Sequence, residues 1–336
     1  MSLTCQALVL NEPADIRLRI ETVTVPPLQP GEVRVRMLAA ALNHRDEWIR
    51  QGLYAGIRYP AILGSDGCGV VEEAATGADK HWAGQEVIIN PNNDWGPNPA
   101  VQGNAYTIRG LQTAGTFAQY LVVPAHRLHA KPAHLSPQQA AALPLAGLTA
   151  YRACVHYGKP KPGMRVLVTG IGGGVAMFAL QFALALGAEC WVTTGDERKL
   201  QHAITLGAKG GANYKVPDYW KALKKETGGF DLVVDSAGGD GMNGLVELCR
   251  PAGQIVFYGA TAGVPKELNI RKMFWNQLRL QGSTMGSDED FAAMVALVNQ
   301  HKIVPVIDGV RPFAQILDVL ADMRAHKQLG KLVISF

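Results

Sequence analysis

Glycines at 170, 172, 173 and 174 stand between a short apolar run, Arg165-Val-Leu-Val-Thr169, and a helical pattern from Met177 to Leu186. Strand, glycine turn and helix in that order can hold a dinucleotide pyrophosphate. Glycines let the backbone approach the phosphates, and the helix N-terminus offers unpaired N–H groups at the positive end of its dipole. Gly170 and Gly172 fit the first two places of G-x-G-x-x-G, and Val175 takes the third; with the frame shifted, Gly170, Gly173 and Ala176 supply the small residues. The next strand-like run ends at Thr193 and Thr194, followed by Gly195. NAD-selective folds place a carboxylate about 20 residues beyond the turn to accept from the ribose 2′-OH. Thr194 holds that place here, with Asp196 and Glu197 slightly later. Hydroxyls and glycine leave room for a 2′-phosphate that Arg198 or Lys199 would neutralise, so the expected cofactor is NADPH over NADH.

The elements around this turn set the fold class. At 336 residues, two domains are the natural expectation. Hydrophobic residues make up 48% of the chain and charged ones 18%, enough for a core in each half. The first third reads as β-barrel-like: Val33-Arg-Val-Arg-Met-Leu alternates, and short strand-like runs recur at Gly67, Gln85 and Ala118. Asn90 to Gly103 reads as a long loop. Ser136 is placed to cap a helix opening with Pro137. From Arg165, strands and helices alternate through Phe230-Asp-Leu-Val-Val-Asp235, Gly253 to Gly259 and Leu278 to Thr284, the pattern of a parallel sheet buried on both faces. A helix is expected over Asp288 to Asn299, then two tail strands that return to the first domain. The expected architecture is α/β. A Rossmann-type doubly wound parallel sheet spans 128–287, and a β-barrel-type catalytic domain is assembled from 1–127 and 288–336. Net charge is only +4 with scattered Lys and Arg, so no nucleic-acid surface is expected. No apolar run reaches membrane-spanning length and no secretory leader is evident. Five scattered cysteines without C-x-x-C suit a reducing cytoplasm.

These pieces together resemble the medium-chain dehydrogenase/reductase superfamily. The likeness is carried by Leu42-Asn-His-Arg-Asp46, Gly64-Ser-Asp-Gly-Cys-Gly-Val-Val71, the glycine turn, Val234-Asp-Ser-Ala-Gly-Gly239, Phe257-Tyr-Gly-Ala260, Gly282-Ser-Thr-Met-Gly286 and Gly330-Lys331. It implies a GroES-like β domain, split in sequence, around a Rossmann domain, with the active site in the cleft between them. It also implies cofactor contacts from Gly170, Gly173, Val175, Thr194, Lys199, Tyr214, Ser236, Tyr258 and Lys331, beside Gly172 and Gly174 of the turn. A homodimer formed through the edge strand near Leu278 to Thr284 follows from the same likeness.

Zinc alcohol dehydrogenases of the superfamily carry Cys where this chain has Asn43, and His-Glu where it has Ser65-Asp66. The loop matching their structural zinc lobe, Asn90 to Thr113, has no cysteine. An amide and a hydroxyl are poor zinc ligands, so no metal is expected. Asn43-x-x-Asp46 instead resembles the zinc-independent quinone oxidoreductase-like branch. Without a strong Lewis acid the acceptor must already be activated, which points to quinones or α,β-unsaturated carbonyls. The candidate catalytic residues are Asn43, as a donor to the developing oxyanion, Tyr54, as a hydrogen-bond donor, proton donor or plain aromatic lid, and Asp46. Arg45 and Asp46 are expected to form a structural polar pair. The competing readings are a zinc-type alcohol dehydrogenase and a non-catalytic NADPH-binding protein.

Overall fold

A computed structural model describes residues 2–11, 18–325 and 327–336. The chain packs as two units, Met1–Leu145 with Ser287–Phe336, and Ala146–Gly286.

The first unit is built on β-structure. Its main sheet runs in the order Leu128–Ala130, Glu86–Ile89, Asp66–Ala74, Glu32–Ala41, Lys331–Ser335, Ile307–Pro312, and Tyr120–Pro124 pairs with Glu32–Ala41 off that path. The alternation in Glu32–Ala41 explains its placement. Val33, Val35 and Met37 turn inward against Val71, Val87, Ile89, Leu121 and Val123. Arg34 and Arg36 turn outward to Glu73 and Glu72, at 2.6 and 2.9 Å. The tail strand Lys331–Ser335 pairs antiparallel with Glu32–Ala41. In the registers, Ala41 pairs with Asp66 on one side and with Val333 on the other. Asn43, Asp66 and Lys331 are therefore delivered to one end of one sheet, although they lie far apart in sequence.

Residues 128–145 pack in this first unit, whereas sequence patterning grouped them with the nucleotide fold. Leu128–Ala130 pairs antiparallel with Glu86–Ile89. The helix Pro137–Ala141, capped by Ser136 through Gln139 N–H at 3.2 Å, lies on the strands Glu32–Ala41 and Asp66–Ala74.

The second unit is a six-stranded parallel sheet in the order Gly210–Asn213, Glu189–Thr194, Arg165–Val168, Phe230–Asp235, Cys249–Phe257, Arg279–Gly282. In order of sequence this is 3-2-1-4-5-6, the Rossmann arrangement, whose ligand crevice lies at the carboxyl ends of the strands where the order reverses. Val166, Leu167, Val168, Leu232, Val233 and Val234 are all fully buried, as strands covered on both faces must be. All five cysteines are free and buried, and burial pushes the thiols of Cys68, Cys190 and Cys249 up to about 12. They behave as small core residues. Among the described residues no helix is long and apolar enough to cross a membrane.

Candidate active site

The glycine turn of the second unit is shaped to receive a pyrophosphate. Gly170 has φ 63° and Gly172 has φ 129°. The second value falls in a region essentially reserved for glycine. Gly173 precedes the helix Gly174–Ala185, no side chain caps that helix, and a Cβ built on Gly173 would meet nothing within 4 Å. Free N–H groups at an open helix start fit a phosphate pair. The carboxylate of Asp235 ties down the neighbouring loop, accepting from Thr169 Oγ1 at 2.5 Å and from the N–H groups of Ala237 and Gly238 at 3.1 and 2.8 Å. Ser236 hydrogen-bonds the Tyr258 side chain, and burial holds that phenol well above its ordinary range. Ser236 Oγ also lies 3.3 Å from where a Gly170 Cβ would sit. Gly170, Ser236 and Tyr258 are thus one connected group.

The adenosine-side candidates gather around the end of Glu189–Thr194. Thr194 is buried, and its Oγ1 accepts from Asp196 N–H at 3.2 Å. Both oxygens of Asp196 are engaged by Arg198, one by its backbone N–H at 2.9 Å and one by its guanidinium at 3.0 Å. These bonds, led by the one from the Arg198 side chain, lower the Asp196 pKa. Asp196 therefore caps the helix Glu197–Thr205 and pairs with the Arg198 side chain. Lys199 lies against Gly172, its Cδ 2.5 Å from the position of a Cβ there. Tyr214 and Lys215 close over Gly195, with Lys215 Cε 2.6 Å and the Tyr214 hydroxyl 2.9 Å from an added Cβ. Lys215 was missed at the sequence level. Its signal was its place beside Tyr214, just after the strand Gly210–Asn213.

The first unit gathers a second polar group. Asn43 follows the strand Glu32–Ala41 and opens the helix His44–Arg50. Its N–H donates to Asp46 Oδ2 at 2.8 Å, which satisfies one orphan donor at the helix start. Lys331 Nζ donates to Asn43 Oδ1 at 2.6 Å and to Asp66 Oδ2 at 2.9 Å, and Asn43 Nδ2 donates to Asp66 Oδ2 at 2.9 Å. Asp66 Oδ1 accepts the N–H of Leu145 at 2.7 Å. The amide orientation of Asn43 is dictated: a lysine can only donate and a carboxylate can only accept. One N–H of Asn43 remains for another acceptor. Lys331, expected among the cofactor contacts, gives its ammonium to Asn43 and Asp66 and is only 4% exposed. Asp46 is fully buried, and Oδ1 has no hydrogen-bond partner among the described residues. Desolvation raises its pKa to about 6, opposed by Arg45, the Asn43 N–H and Lys331.

Arg45 acts on Asp46 through its charge, the largest of the effects that oppose the raised pKa, while its hydrogen bonds go elsewhere. Its Nη1 donates to Ser65 Oγ at 2.6 Å and to the carbonyl of Arg109 at 2.9 Å, and Ser65 Oγ also donates to that carbonyl at 2.8 Å. Tyr54 lays its ring over this guanidinium, 5.0 Å from centroid to Cζ, and packs against the core that contains Leu42, Leu63 and Phe117.

This donor set does not fit the zinc ion that some members of the resembled superfamily carry. Asn43 presents an amide and Ser65 a hydroxyl already bonded to a carbonyl. Asp66, the one carboxylate of the trio, already holds the Lys331 ammonium, which would repel a divalent cation. Among the described residues no three His, Cys, Asp or Glu side chains gather as a metal cluster.

Comparisons with known proteins agree with this architecture. The Alcohol dehydrogenase GroES-like domain profile matches residues 29–133, and the Zinc-binding dehydrogenase profile matches residues 174–300. The chain is 37% identical to the Zinc-type alcohol dehydrogenase-like protein YogA of Leptosphaeria maculans, over 94% of each chain. It is 30% identical to a crotonyl-CoA carboxylase/reductase of Cereibacter sphaeroides, over 90% of this chain and 79% of that one. The crystal structure of an NAD-dependent alcohol dehydrogenase superposes with a TM-score of 0.92 at 35% identity, covering 98% of this chain and 99% of that one. With its GroES-like unit, its Rossmann unit and its open glycine turn, the chain belongs to the medium-chain dehydrogenase/reductase superfamily, whose oxidoreductases use NAD(P).

Proposed function

We propose that the protein is an NADPH-dependent reductase of quinones or α,β-unsaturated carbonyls that works without a metal. The observation that carries this reading is the Asn43–Asp66–Lys331 network, which replaces a zinc donor set with an amide donor held between a buried carboxylate and a buried ammonium. A simple alcohol or ketone needs strong polarisation of its oxygen. A quinone or enone needs less, because charge arriving with hydride delocalises onto oxygen. The cofactor supplies that hydride when bound. The chain's own residues hold the nucleotide at the glycine turn and present Asn43 Nδ2 to the developing oxyanion, with Tyr54, stacked on Arg45, as hydrogen-bond donor or lid. The crotonyl-CoA carboxylase/reductase relative, named for an enoyl thioester, supports a conjugated carbonyl as the acceptor.

NADPH is favoured over NADH because the Asp196 carboxylate is engaged by Arg198, whereas Lys199 lies against Gly172 and Lys215 reaches Gly195, next to Thr194. The relative described as NAD-dependent favours the opposite choice, and a ratio of Michaelis constants decides between them. The chain works as a homodimer in this reading. Arg279–Gly282 is an edge strand with Leu280 exposed, and Ile270, Phe274 and Trp275 nearby are 67%, 66% and 78% exposed. An apolar, unpaired edge of this kind invites a second copy. Buried free thiols suit a cytoplasmic setting.

The test is NADPH oxidation with a panel of quinones, enones, ketones and primary alcohols, with light scattering on the same sample. Turnover with quinones or enones, undiminished by a zinc chelator, is expected. Turnover confined to alcohols and ketones and lost on chelation would overturn the reading.

A further inference from the structure

Among the buried polar atoms of the first unit, Arg45 stands apart. Its side chain is more than nine-tenths buried, yet Nε and Nη2 have no acceptor among the described residues. The other terminal nitrogen, Nη1, is fixed by Ser65 and the Arg109 carbonyl. Nε–H and the adjacent Nη2–H leave the same edge of the planar group, so the unmatched donors form one fork. Buried unmatched donors of this kind cost stability and call for a functional explanation. A guanidinium stays charged at any working pH, so it can stabilise negative charge but does not donate a proton.

We infer that the Nε–Nη2 edge of Arg45 is the electrophile of this enzyme, the group that receives the substrate's oxygen as negative charge builds on it. This rests on the reading above of a metal-free reductase of conjugated carbonyls, and it assigns to Arg45 the polarising role that Asn43 Nδ2, with one N–H remaining, shares. Hydride arriving at the β-carbon of an enone, with the dihydronicotinamide oxidised in the same step, moves the C=C pair between the α-carbon and the carbonyl carbon. The carbonyl π pair moves to oxygen, giving an enolate that the fork binds. A proton from solvent then adds to the α-carbon and regenerates the carbonyl. The other charged groups around the fork fit this role. Asp46, on the same helix, feels the Arg45 charge, and burial raises its pKa to about 6 against that attraction, yet no hydrogen bond joins it to the fork. Asp66 is matched by Lys331, and Arg109 contributes its carbonyl to Nη1 and its guanidinium to the Ala114 carbonyl at 2.9 Å. Tyr54 covers the face of the guanidinium, and the residues about it carry positive-φ glycines at 52 and 56, where the backbone can turn the ring aside.

The test uses the NADP⁺-loaded protein and 4-nitrophenol, whose ionised form has its own absorbance band and mimics an enolate oxygen. Bound to the wild type, the phenol is expected to ionise about one pH unit or more below its value in buffer. Arg45→Met should abolish that shift, and should lower enone turnover by about a hundredfold or more with NADPH affinity unchanged, the size expected for losing an oxyanion donor. Should Arg45→Met not fold, Arg45→Lys carries the test: it keeps a buried cation but loses the fork, so the shift should shrink and turnover fall at least about tenfold. No phenol shift in the wild type, or a shift and turnover that survive substitution, overturns the assignment. An Arg45-dependent shift in a protein that oxidises NADPH with no quinone or enone would leave the anion site standing and overturn the proposed reaction instead.

Discussion

The two polar regions of this molecule are made in opposite ways. The nucleotide turn is built from backbone, with glycines whose missing side chains and positive φ angles leave N–H groups open at a helix start. The polar group of the first unit is built from side chains on two strands and on the helix that opens at Asn43, with one buried cation, Lys331, and two buried carboxylates linked through Asn43 by hydrogen bonds. A backbone site depends on conformation and tolerates most changes in charge. A side-chain site depends on charge balance and tolerates modest changes in shape. The same class of substitution should therefore act very differently in the two regions.

The largest effect is expected where that balance is broken. Lys331→Met leaves Asp66, fully buried, without its counter-charge and removes a donor from Asn43. Removing one partner of a buried pair costs about 3–5 kcal/mol. The melting transition of the first unit should fall by roughly 10 °C. Adding Asp66→Asn should recover most of that loss, because asparagine still accepts the Leu145 N–H but buries no charge. Equal melting temperatures for the single and double variants would show that charge balance does not hold this region together.

A second test uses pH. Burial raises Asp46 from its ordinary 3.8 to about 6. The folded state thus holds this proton more tightly than the unfolded chain does. Stability is lost as pH rises through that interval, and the full cost of the buried charge is present above it. Asp46→Asn removes the charge and keeps an acceptor for the Asn43 N–H. It should stabilise by on the order of 2 kcal/mol at pH 8 and by little at pH 4. Melting curves of both proteins across that range check this; parallel curves would refute it.

In the nucleotide region the corresponding break is conformational. Gly172→Ala places a Cβ at φ 129° and against the Lys199 side chain. Strain of this kind costs about 1–3 kcal/mol. NADPH binding, followed by fluorescence titration, should weaken by roughly ten- to a hundredfold, while the melting of the first unit stays put. Gly173→Ala, where a Cβ meets nothing, should change binding far less, provided the bound phosphates leave that side free.

What could be read from the sequence divides along the same line. The Rossmann sheet was legible because both of its signals are local: unbroken apolar runs such as Val166 to Val168, and glycines where strand becomes helix. The capped helix at Ser136 was legible for the same reason. Its place in the first unit was not, because a helix cap does not say which sheet the helix covers. Asn43, Asp46 and Lys331 were each singled out, but not that Lys331 bonds Asn43 across 288 positions of sequence. That contact follows from the registers Ala41 with Asp66 and Ala41 with Val333, which no local pattern encodes. Arg45 was paired with Asp46 because they are adjacent in sequence. The charge of Arg45 does act on Asp46, but its hydrogen bonds go to Ser65, 20 positions on, and to the Arg109 carbonyl, 64 positions on.

The smallest effect sharpens the comparison most, because it asks whether the backbone-built site uses charge at all. Lys215 was absent from the sequence reading and reaches over Gly195 at the end of the strand carrying Thr194. If it neutralises a 2′-phosphate, Lys215→Ala should raise the Michaelis constant for NADPH about five- to tenfold, roughly 1 kcal/mol, the scale of a partly exposed charge-assisted contact. The constant for NADH should not move, since NADH carries no phosphate there. Raising salt should erode the NADPH preference of the wild type more steeply than that of the variant, because the wild type includes one more screenable charge pair. Equal effects on the two cofactors would make Lys215 a packing residue over Gly195, and would leave selectivity to Lys199 and to the space beside Thr194.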